Sequence, residues 1–376
     1  MRVAFFYPSS SMRLPVDIRN IWSSPRGLTG SEIAFFMFAL EMAKRGHGVT
    51  IFTKIDQVAD LGPITCCHYE EWASTYHSQP WGALCSWMTP EPLKIATHGA
   101  LRLFNQQVSD FGQCEPGWES WVDLVAPLSH SHAQHLSQLC SVPRDKWRVM
   151  YNGVDTAEFK PSVKIPGKMI WASSHDRGLH WVLEAFPAIK RRVPHAELHV
   201  FYDFDGMEKF AGVPDNSGSA LMRELGMRSR YSAEALRRFE GKGVHVRRSV
   251  SRSQIREEMA TAEVLAYPCD PVRYTETFGV TVLEALACGA VPVLCTSDSF
   301  GELWGGVAPS VPPPYVAHKQ EWEDLVVRAM TDLDWRTETV NRGLSYAPRF
   351  EWSRLGAFFE QTLLTAGARG LPKVNW

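Results

Sequence analysis

The residues of this chain best placed for chemistry are two carboxylates, Glu276 and Glu284, which bracket the run Thr277-Phe278-Gly279-Val280-Thr281-Val282-Leu283. The apolar stretch Val264 to Tyr267 upstream reads as a strand, and the run itself opens a helix that Gly289 caps. A helix beginning near Gly279 aims the backbone amides of Phe278, Gly279 and Val280 outward, where its partial positive charge favours an anion such as phosphate. Gly279 lets a ligand come close to the backbone. Glu284 lies four residues beyond Val280, one turn into the helix on the same side, while Glu276 stays in the loop ahead of it. A phosphate would repel both carboxylates, so their partners are hydroxyls, one set on a sugar and another on a ribose. Phosphate plus two sets of hydroxyls describes a nucleotide sugar. Two glutamates at this spacing in isolation would be solvated surface groups; the strand, glycine turn, helix and capped return around them favour a binding role.

The elements that must hold these groups follow from hydrophobic period and punctuation. A chain of 376 residues fits two domains of common size. Val3 to Tyr7 reads as a buried strand, followed by a helix with Ile33, Phe36, Met37 and Leu40 on one face. Lys44 and Arg45 suit that helix's C-terminus, Gly46 caps it, and Val49 to Thr53 resumes as a strand, making a βαβ unit. Leu101 to Phe104 and Leu124 to Leu128 read as further strands, His132 to Leu139 as a short helix, and Trp147 to Tyr151 as a strand running into the turn Asn152-Gly153. Residues Glu158 to Lys168 carry two prolines and no periodicity, as a linker does. A second series then opens with strand Met169 to Ala172, a helix with Leu179, Val182, Leu183, Phe186 and Ile189 on one side, and strands at Leu198–Tyr202, Val244–Arg247, Val264–Tyr267 and Val291–Cys295. The expected fold is α/β, with two doubly wound parallel sheets and the ligand at the strand C-termini between them.

Composition narrows the partners. With 39 basic and 41 acidic residues, nothing draws the whole chain to nucleic acid or to an anionic membrane. The arginine-rich segment Arg223 to Arg256 is interspersed with glutamates and lacks a nucleic-acid motif, so a solvated helix is expected there and no nucleic-acid partner. The first residues lack the apolar length of a secretion signal, and no run reaches the roughly 18 to 20 apolar residues of a membrane span, so a cytoplasmic protein is expected. Eight scattered cysteines, with Cys66 and Cys67 adjacent, match neither a zinc site nor a disulfide framework and read as reduced packing thiols. Asp203-Phe204-Asp205 and Asp332-Leu333-Asp334 share a pattern that can hold a divalent metal, but the pattern is common and both read as structural. Of fourteen tryptophans, Trp22, Trp72, Trp81, Trp87, Trp118 and Trp121 fall in the first domain, mostly as core, with some offering flat faces to a saccharide.

In their order along the chain these motifs resemble the retaining glycosyltransferases of the GT-B fold, especially the large family 4, the glycosyl transferases group 1. Glu276 to Glu284 resembles the family's two-glutamate motif, and Gly27-Leu28-Thr29-Gly30-Ser31-Glu32 its glycine-rich loop before the first helix. Tyr151-Asn152-Gly153-Val154-Asp155 resembles its interdomain turn, and Ser173-Ser174-His175-Asp176-Arg177-Gly178-Leu179 its basic donor loop. The resemblance covers nearly the whole chain. It implies two Rossmann-like domains facing across a cleft: an acceptor domain over residues 1–160, a nucleotide-sugar domain over 165–350, and a last helix, 352–376, packing back on the first domain. Gly30 would touch the donor diphosphate, Arg177 would neutralise the departing nucleotide diphosphate, Glu276 would hold donor-sugar hydroxyls and act with Arg177 in catalysis, and Glu284 would hold the ribose. Ser173, Thr277, Phe278, Gly279 and Val280 would complete the donor site. The implied reaction moves a hexosyl unit from a UDP- or GDP-sugar to a saccharide or other hydroxyl acceptor, with no cofactor and no metal.

The chain departs from the family in two places. The donor loop often carries an Arg and a Lys, whereas Arg177 stands alone here; Arg247 and Arg248, at the end of the Val244 strand, are the candidates for the second cation, and Arg248 joins the donor set. A histidine often ends an N-domain strand near the reacting carbon, but here Leu101–Phe104 runs into Asn105-Gln106-Gln107-Val108-Ser109-Asp110. Asn105, Gln107 and Asp110 are therefore the acceptor-side candidates, with His98, His130 and His132 as alternatives. These departures leave a catalytically inactive sugar-nucleotide-binding or scaffolding protein of the same fold as the rival.

Overall fold

The computed structural model describes residues 1–7, 28–54, 59–60, 62–95, 99–202, 204–248 and 250–367. Trp22, Gly27, His98, Asp203 and the last nine residues of the expected terminal helix lie outside these. The chain divides into two units, one formed by the residues up to Gly153 together with those from Phe350 onward, the other by Val154–Arg349.

In the first unit the elements are β1 (Arg2–Tyr7), α1 (Gly30–Lys44), β2 (Gly48–Thr53), β3 (Ala59–Asp60), β4 (Ile64–His68), β5 (Ala83–Trp87), β6 (Leu101–Asn105), β7 (Leu124–Ala126) and α2 (His130–Leu136). The sheet order is β3-β4-β2-β1-β5-β6-β7, parallel except for the short edge strand β3. Val3 to Tyr7 is apolar at every position because β1 is central and buried on both faces. A capping box starts α1: the Thr29 hydroxyl accepts from the Glu32 N–H at 3.3 Å, and the Glu32 carboxylate accepts from the Thr29 N–H at 2.7 Å. Gly46, at φ 82°, turns the chain into β2. The helix is buried on more than the one expected face, because the terminal helix α11 (Trp352–Gly367) lies against it. The Phe359 ring lies tilted against that of Phe38 with centroids 4.8 Å apart, and a Cβ on Gly356 would stand 2.7 Å from Cβ of Glu41, so the two helices meet at a glycine.

The strand expected at Trp147–Tyr151 is not formed; it contributes a single bridge, Val125 to Trp147. Three strands of this unit went unseen: the two-residue β3, and β4 and β5, in which Ile-Thr-Cys-Cys-His and Ala-Leu-Cys-Ser-Trp dilute the β-branched signal with small and polar residues. The helix expected at His132–Leu139 starts and stops earlier, capped by Ser129.

The second unit comprises β8 (Lys168–Trp171), α3 (Leu179–Arg192), β9 (Glu197–Phe201), α4 (Asp205–Ala211), α5 (Ala220–Phe239), β10 (Val244–Arg247), α6 (Arg252–Thr261), β11 (Val264–Tyr267), α7 (Val280–Ala287), β12 (Val291–Cys295), α8 (Phe300–Trp304), β13 (Ser310–Val311), α9 (Lys319–Thr331) and α10 (Leu333–Tyr346). Its six strands are parallel in the order β10-β9-β8-β11-β12-β13. The arginine-rich stretch 223–256 is therefore not one solvated helix but most of α5, all of β10 and the start of α6.

Each sheet is wound outward from its first strand, first to one side and then to the other. The order reverses between β1 and β5 in one unit and between β8 and β11 in the other. Crevices outside the strand C-termini at such reversals are where open α/β sheets take ligands. The α/β, doubly wound expectation holds for both units.

Candidate active site

At the reversal in the second sheet, β8 delivers a loop from Ala172 to Gly178, and β11 delivers Tyr267 and the segment leading to α7. The loop tightens into one 3₁₀ turn over His175–Arg177. His175 is buried and shares a 3.0 Å hydrogen bond with the Ser229 hydroxyl, and burial pushes its pKa down, so it is a neutral anchor. The Arg177 carbonyl accepts the Asp270 N–H at 3.1 Å. Gly178 follows at φ 120°, where a side chain would be strained. So held, Arg177 places Nη1 2.6 Å from Glu276 Oε1. The Tyr267 hydroxyl donates to that same oxygen, and Ser173 Oγ lies 2.7 Å from the Tyr267 hydroxyl. Glu276 is 2% exposed, whereas the Arg177 side chain retains 31% of its surface. Burial opposes the charge on Arg177, but the Glu276 carboxylate outweighs it and holds the guanidinium protonated well above its ordinary pKa. Burial, and then Glu276, push the Tyr267 phenol and the Cys269 thiol upward, so both stay neutral. Nε of Arg177 is buried without an acceptor, a donor in hand at the site.

The Glu276 loop is clamped from behind. Asp298 Oδ2 accepts the N–H groups of Thr275 at 2.8 Å and Glu276 at 2.9 Å, and Asp298 itself sits at φ 52°, an uncommon backbone for a residue with a side chain. Phe278 is buried edge-to-face on Trp304, whose Nε1 donates to the Phe278 carbonyl at 2.8 Å. Gly279 has φ 84°, and a Cβ there would stand 2.5 Å from the Phe300 ring. Backbone sign and packing on α8 therefore each require a glycine here, whether or not a ligand approaches it. The Thr281 hydroxyl donates to the Ala172 carbonyl at 2.8 Å, tying the first turn of α7 to the end of β8. The orphan amides of that turn and Arg177 therefore lie along one edge, with positive character and Glu276 between them.

Glu284, one turn into α7, is 3% exposed and bidentate with Arg252 through Nη1 to Oε2 at 3.4 Å and Nη2 to Oε1. Arg252 also lies over the Phe159 ring, 5.0 Å from its centroid. Sequence reasoning missed Arg252, although a signal existed. Ser251 and Gln254 form a capping box that puts Arg252 in the first turn of α6, where a cation opposes the helix dipole and so needs a specific partner. Arg228 was likewise missed; its guanidinium bonds Glu224 at 2.6 Å and approaches Asp270 Oδ2 at 3.5 Å, steadying the segment that holds Arg177. Arg248 is not brought to the site: it is exposed beyond β10, two strands and about 10 Å across the sheet from β8. Asp332 caps α10 by accepting the Trp335 N–H at 3.1 Å, and Asp205 opens α4.

At the reversal in the first sheet the groups are mostly neutral, the exception being the buried Glu32 carboxylate held on the Thr29 cap; burial, and then this carboxylate, raise the Tyr7 pKa. The Tyr7 hydroxyl lies 2.9 Å from Ser31 Oγ and donates to Met88 Sδ at 3.2 Å. Gly30 is the first residue of α1, directly behind the Thr29 cap. Asn105 ends β6 fully buried; its Oδ1 accepts Gln107 Nε2 at 2.6 Å, and its Nδ2 has no acceptor. Gln107 and Asn152 exchange amide hydrogen bonds at 3.2 and 3.4 Å. Asp110 turns its carboxylate to the Gly112 N–H at 3.0 Å, a loop-stabilising contact. His130 is exposed. His132 is buried, accepts the Leu128 N–H at 3.2 Å and donates to the Val108 carbonyl at 3.1 Å; burial drops its pKa to about 3, so it is a structural, neutral ring. Trp72, Trp81, Trp87 and Trp118 are core residues, closed to a saccharide, and Trp121 is covered by Lys94.

Residues 170–303, from β8 into α8, match the sequence profile of the glycosyl transferases group 1 family. An O-antigen chain mannosyltransferase B of Escherichia coli is 33% identical over 98 residues, which are 25% of this chain and 23% of that relative, so the match spans about a quarter of the relative's length. Among solved structures, sucrose-phosphate synthase of Thermosynechococcus elongatus superposes with a TM-score of 0.71 at 13% identity, covering 98% of this chain and 99% of its own. The Anabaena protein Alr3699/HepE, solved in complex with UDP and glucose, superposes with a TM-score of 0.68 at 14% identity, covering 97% and 100%. These neighbours share the two-domain, Rossmann-like GT-B fold. Among the described residues, no helix is long and apolar enough to cross a membrane.

Proposed function

We propose, from the match of residues 170–303 to the glycosyl transferases group 1 family, that the chain is a retaining glycosyltransferase that moves a hexosyl unit from a UDP- or GDP-sugar to a saccharide or other hydroxyl acceptor. The observation that carries this is the Ser173–Tyr267–Glu276–Arg177 chain of contacts beside the first turn of α7. Arg177 and the α7 amides take the diphosphate; a guanidinium meets two phosphate oxygens at once, which a point charge does not. Phosphate arriving at Arg177 competes with Glu276 for it and leaves Glu276 an acceptor for sugar hydroxyls. Glu284, oriented by Arg252, offers its remaining lone pairs to the ribose.

In the transfer the anomeric carbon loses its bond to the diphosphate oxygen and gains one to the acceptor oxygen on the same face. The acceptor proton passes to the departing phosphate, whose negative charge Arg177 and the α7 dipole stabilise. No step requires a metal or an added cofactor. Glu276 and Arg177 are the catalytic pair, Thr277 to Val280 shape the diphosphate pocket, and Gly30 serves the donor from the first unit. Asn105 and Gln107 serve the acceptor. The likeness to a mannosyltransferase and to a protein solved with UDP and glucose supports a hexose on a nucleotide diphosphate. All eight cysteines are free thiols, as suits a reducing, cytoplasmic setting.

A panel of nucleotides and nucleotide sugars screened by thermal shift tests the donor assignment, since a ligand of the native state raises apparent stability with concentration. One or more UDP- or GDP-hexoses should raise the melting point, and transfer to an acceptor alcohol should retain the donor's anomeric configuration by NMR. No shift with any common nucleotide sugar sinks the donor assignment. A shift without transfer or hydrolysis across acceptors assigns the chain as a sugar-nucleotide-binding protein instead.

A further inference from the structure

Away from the strand C-termini, the other half of the second sheet carries a cluster that the transfer site does not use. Glu197 and His199 alternate along β9 and so share a face, and His245 of β10 is the register partner of His199. The ligand atoms of Glu197, His199 and His245 lie within 4.8 Å of one another. Glu197 Oε2 stands 3.7 Å from His199 Nε2 and 3.5 Å from His245 Nε2. A tetrahedral zinc ion with Zn–N and Zn–O bonds of about 2.0–2.1 Å separates its ligands by about 3.3 Å, so each imidazole nitrogen already stands within a few tenths of an ångström of that spacing from the carboxylate oxygen. His245 Nε2 is buried without a hydrogen-bond partner, as is His199 Nδ1. The His245 nitrogen, beside Glu197, calls for an occupant, whereas His199 Nδ1 faces the other way, toward Glu258.

The surroundings choose its chemistry. On the side away from Glu197, His199 turns Nδ1 toward Glu258 Oε2 of α6 at 3.5 Å, and Lys168 Nζ holds that carboxylate oxygen at 2.6 Å. A carboxylate behind the Nδ1 of a histidine fixes the tautomer that leaves Nε2 as a lone pair, the usual support of a metal-bound histidine. Two imidazoles and one carboxylate suit zinc and its neighbours rather than calcium or magnesium, which prefer all-oxygen shells. We propose that Glu197, His199 and His245 bind one divalent transition-metal ion, zinc by preference, with Glu258 as the positioning carboxylate of His199 and water in the fourth place. The ion joins the edge strand β10 to β9 and is separate from the nucleotide-sugar chemistry.

Tag-free, chelator-stripped full-length protein titrated with Zn²⁺ by calorimetry tests this. One equivalent should bind with a dissociation constant of about 1 μM or tighter, the melting point should rise, and Co²⁺ in its place should give the intense visible absorption of a tetrahedral site. His245→Asn should weaken binding about 100-fold or more, and Glu258→Gln about tenfold through loss of orientation alone. Circular dichroism and urea midpoints of the metal-free variants separate loss of a ligand from loss of the fold. Absence of saturable binding to the wild-type chain at 100-fold higher zinc, or equal binding by a well-folded His199→Asn/His245→Asn variant, overturns the site.

Discussion

The two units solve the same topological problem and furnish it with opposite chemistry. Both sheets reverse their strand order beside the first strand, at β1/β5 and at β8/β11, and both set polar groups at the strand C-termini there. In the second unit those groups form two ion pairs, Arg177–Glu276 and Arg252–Glu284, three of whose four members are almost wholly buried. In the first they are mainly neutral, Tyr7 with Ser31, and Asn105, Gln107 and Asn152 in an amide network, with the one buried carboxylate named there, Glu32, spent on the α1 cap rather than paired with a cation. The difference shows that the winding of a sheet supplies a crevice and nothing more. Under the proposed function the charged crevice answers a diphosphate and the neutral one a hydroxyl, whose donor and acceptor an amide can meet without desolvating a charge.

The comparison breaks most readily at Arg252. Buried charges stand only as pairs, so Arg252→Met, which strands Glu284 in the interior, should cost about 3–5 kcal/mol of stability by urea unfolding. Combining it with Glu284→Gln should recover more than half of that loss. A single variant with a wild-type midpoint would show that the pair does not hold the second unit together. Glu276→Gln comes next and strikes activity rather than folding. The glutamine carbonyl still accepts from Tyr267, but the charge beside the reacting sugar is gone, and kcat/KM for transfer should fall by about 10²–10³-fold. Nucleotide affinity should stay within a few-fold of wild type, because Arg177 and the α7 amides remain; a loss of transfer below tenfold removes Glu276 from the catalytic pair.

How much of this could be read without coordinates depended on range. Strands with every position apolar, such as Val3–Tyr7 and Val291–Cys295, and the glycine-bounded helix after Glu276 announced themselves locally, and so did both α/β units. Glu276 and Arg177 were found by type and order, but their direct contact was not, because residues 99 positions apart meet only through the β8/β11 reversal. Arg252 was hidden for the same reason: read along the chain it belongs to a basic surface, and only the packing of α6 beside α7 turns it inward. For Gly279 one cause was out of sight along the chain, since the ring of Phe300 that forbids a side chain there lies on another helix. Arg248 failed in the opposite sense, near in sequence to the strand end yet on an edge strand removed from the site.

Acid should sharpen the comparison, because both units contain histidines that burial keeps neutral. His132 in the first and His180 in the second have pKa values lowered to about 3 by burial, with Arg228 adding to the effect on His180. Unfolded, each titrates near 6.5. A lowered folded pKa means stability that is complete above about pH 6.5 and lost as pH falls toward 3, since only the unfolded chain takes up the proton. Between pH 6.5 and 5 each ring should remove about 2 kcal/mol. His132→Gln should flatten the slope of the urea midpoint against pH for the transition that includes the first unit, and His180→Gln that for the second. Equal slopes in wild type and both variants would mean that these rings are not what acid attacks.

The smallest effect should come from Asn105, and it decides whether the neutral crevice acts on the acceptor or merely holds itself together. Asn105 Oδ1 is engaged by Gln107, while Nδ2 has no partner in the protein. Asn105→Ala removes both functions but leaves Gln107 its exchange with Asn152, so folding should change little. Loss of one neutral hydrogen bond of about 1 kcal/mol should raise the acceptor KM about five- to tenfold and leave the donor KM alone. Asn105→Asp separates the two functions, because a carboxylate keeps the acceptor for Gln107 and abolishes the donor. If Nδ2 serves the incoming hydroxyl, the aspartate variant should lose at least as much as the alanine variant. If it matches wild type in acceptor KM, the role of Asn105 is confined to orienting Gln107, and the acceptor contact passes to Gln107 itself.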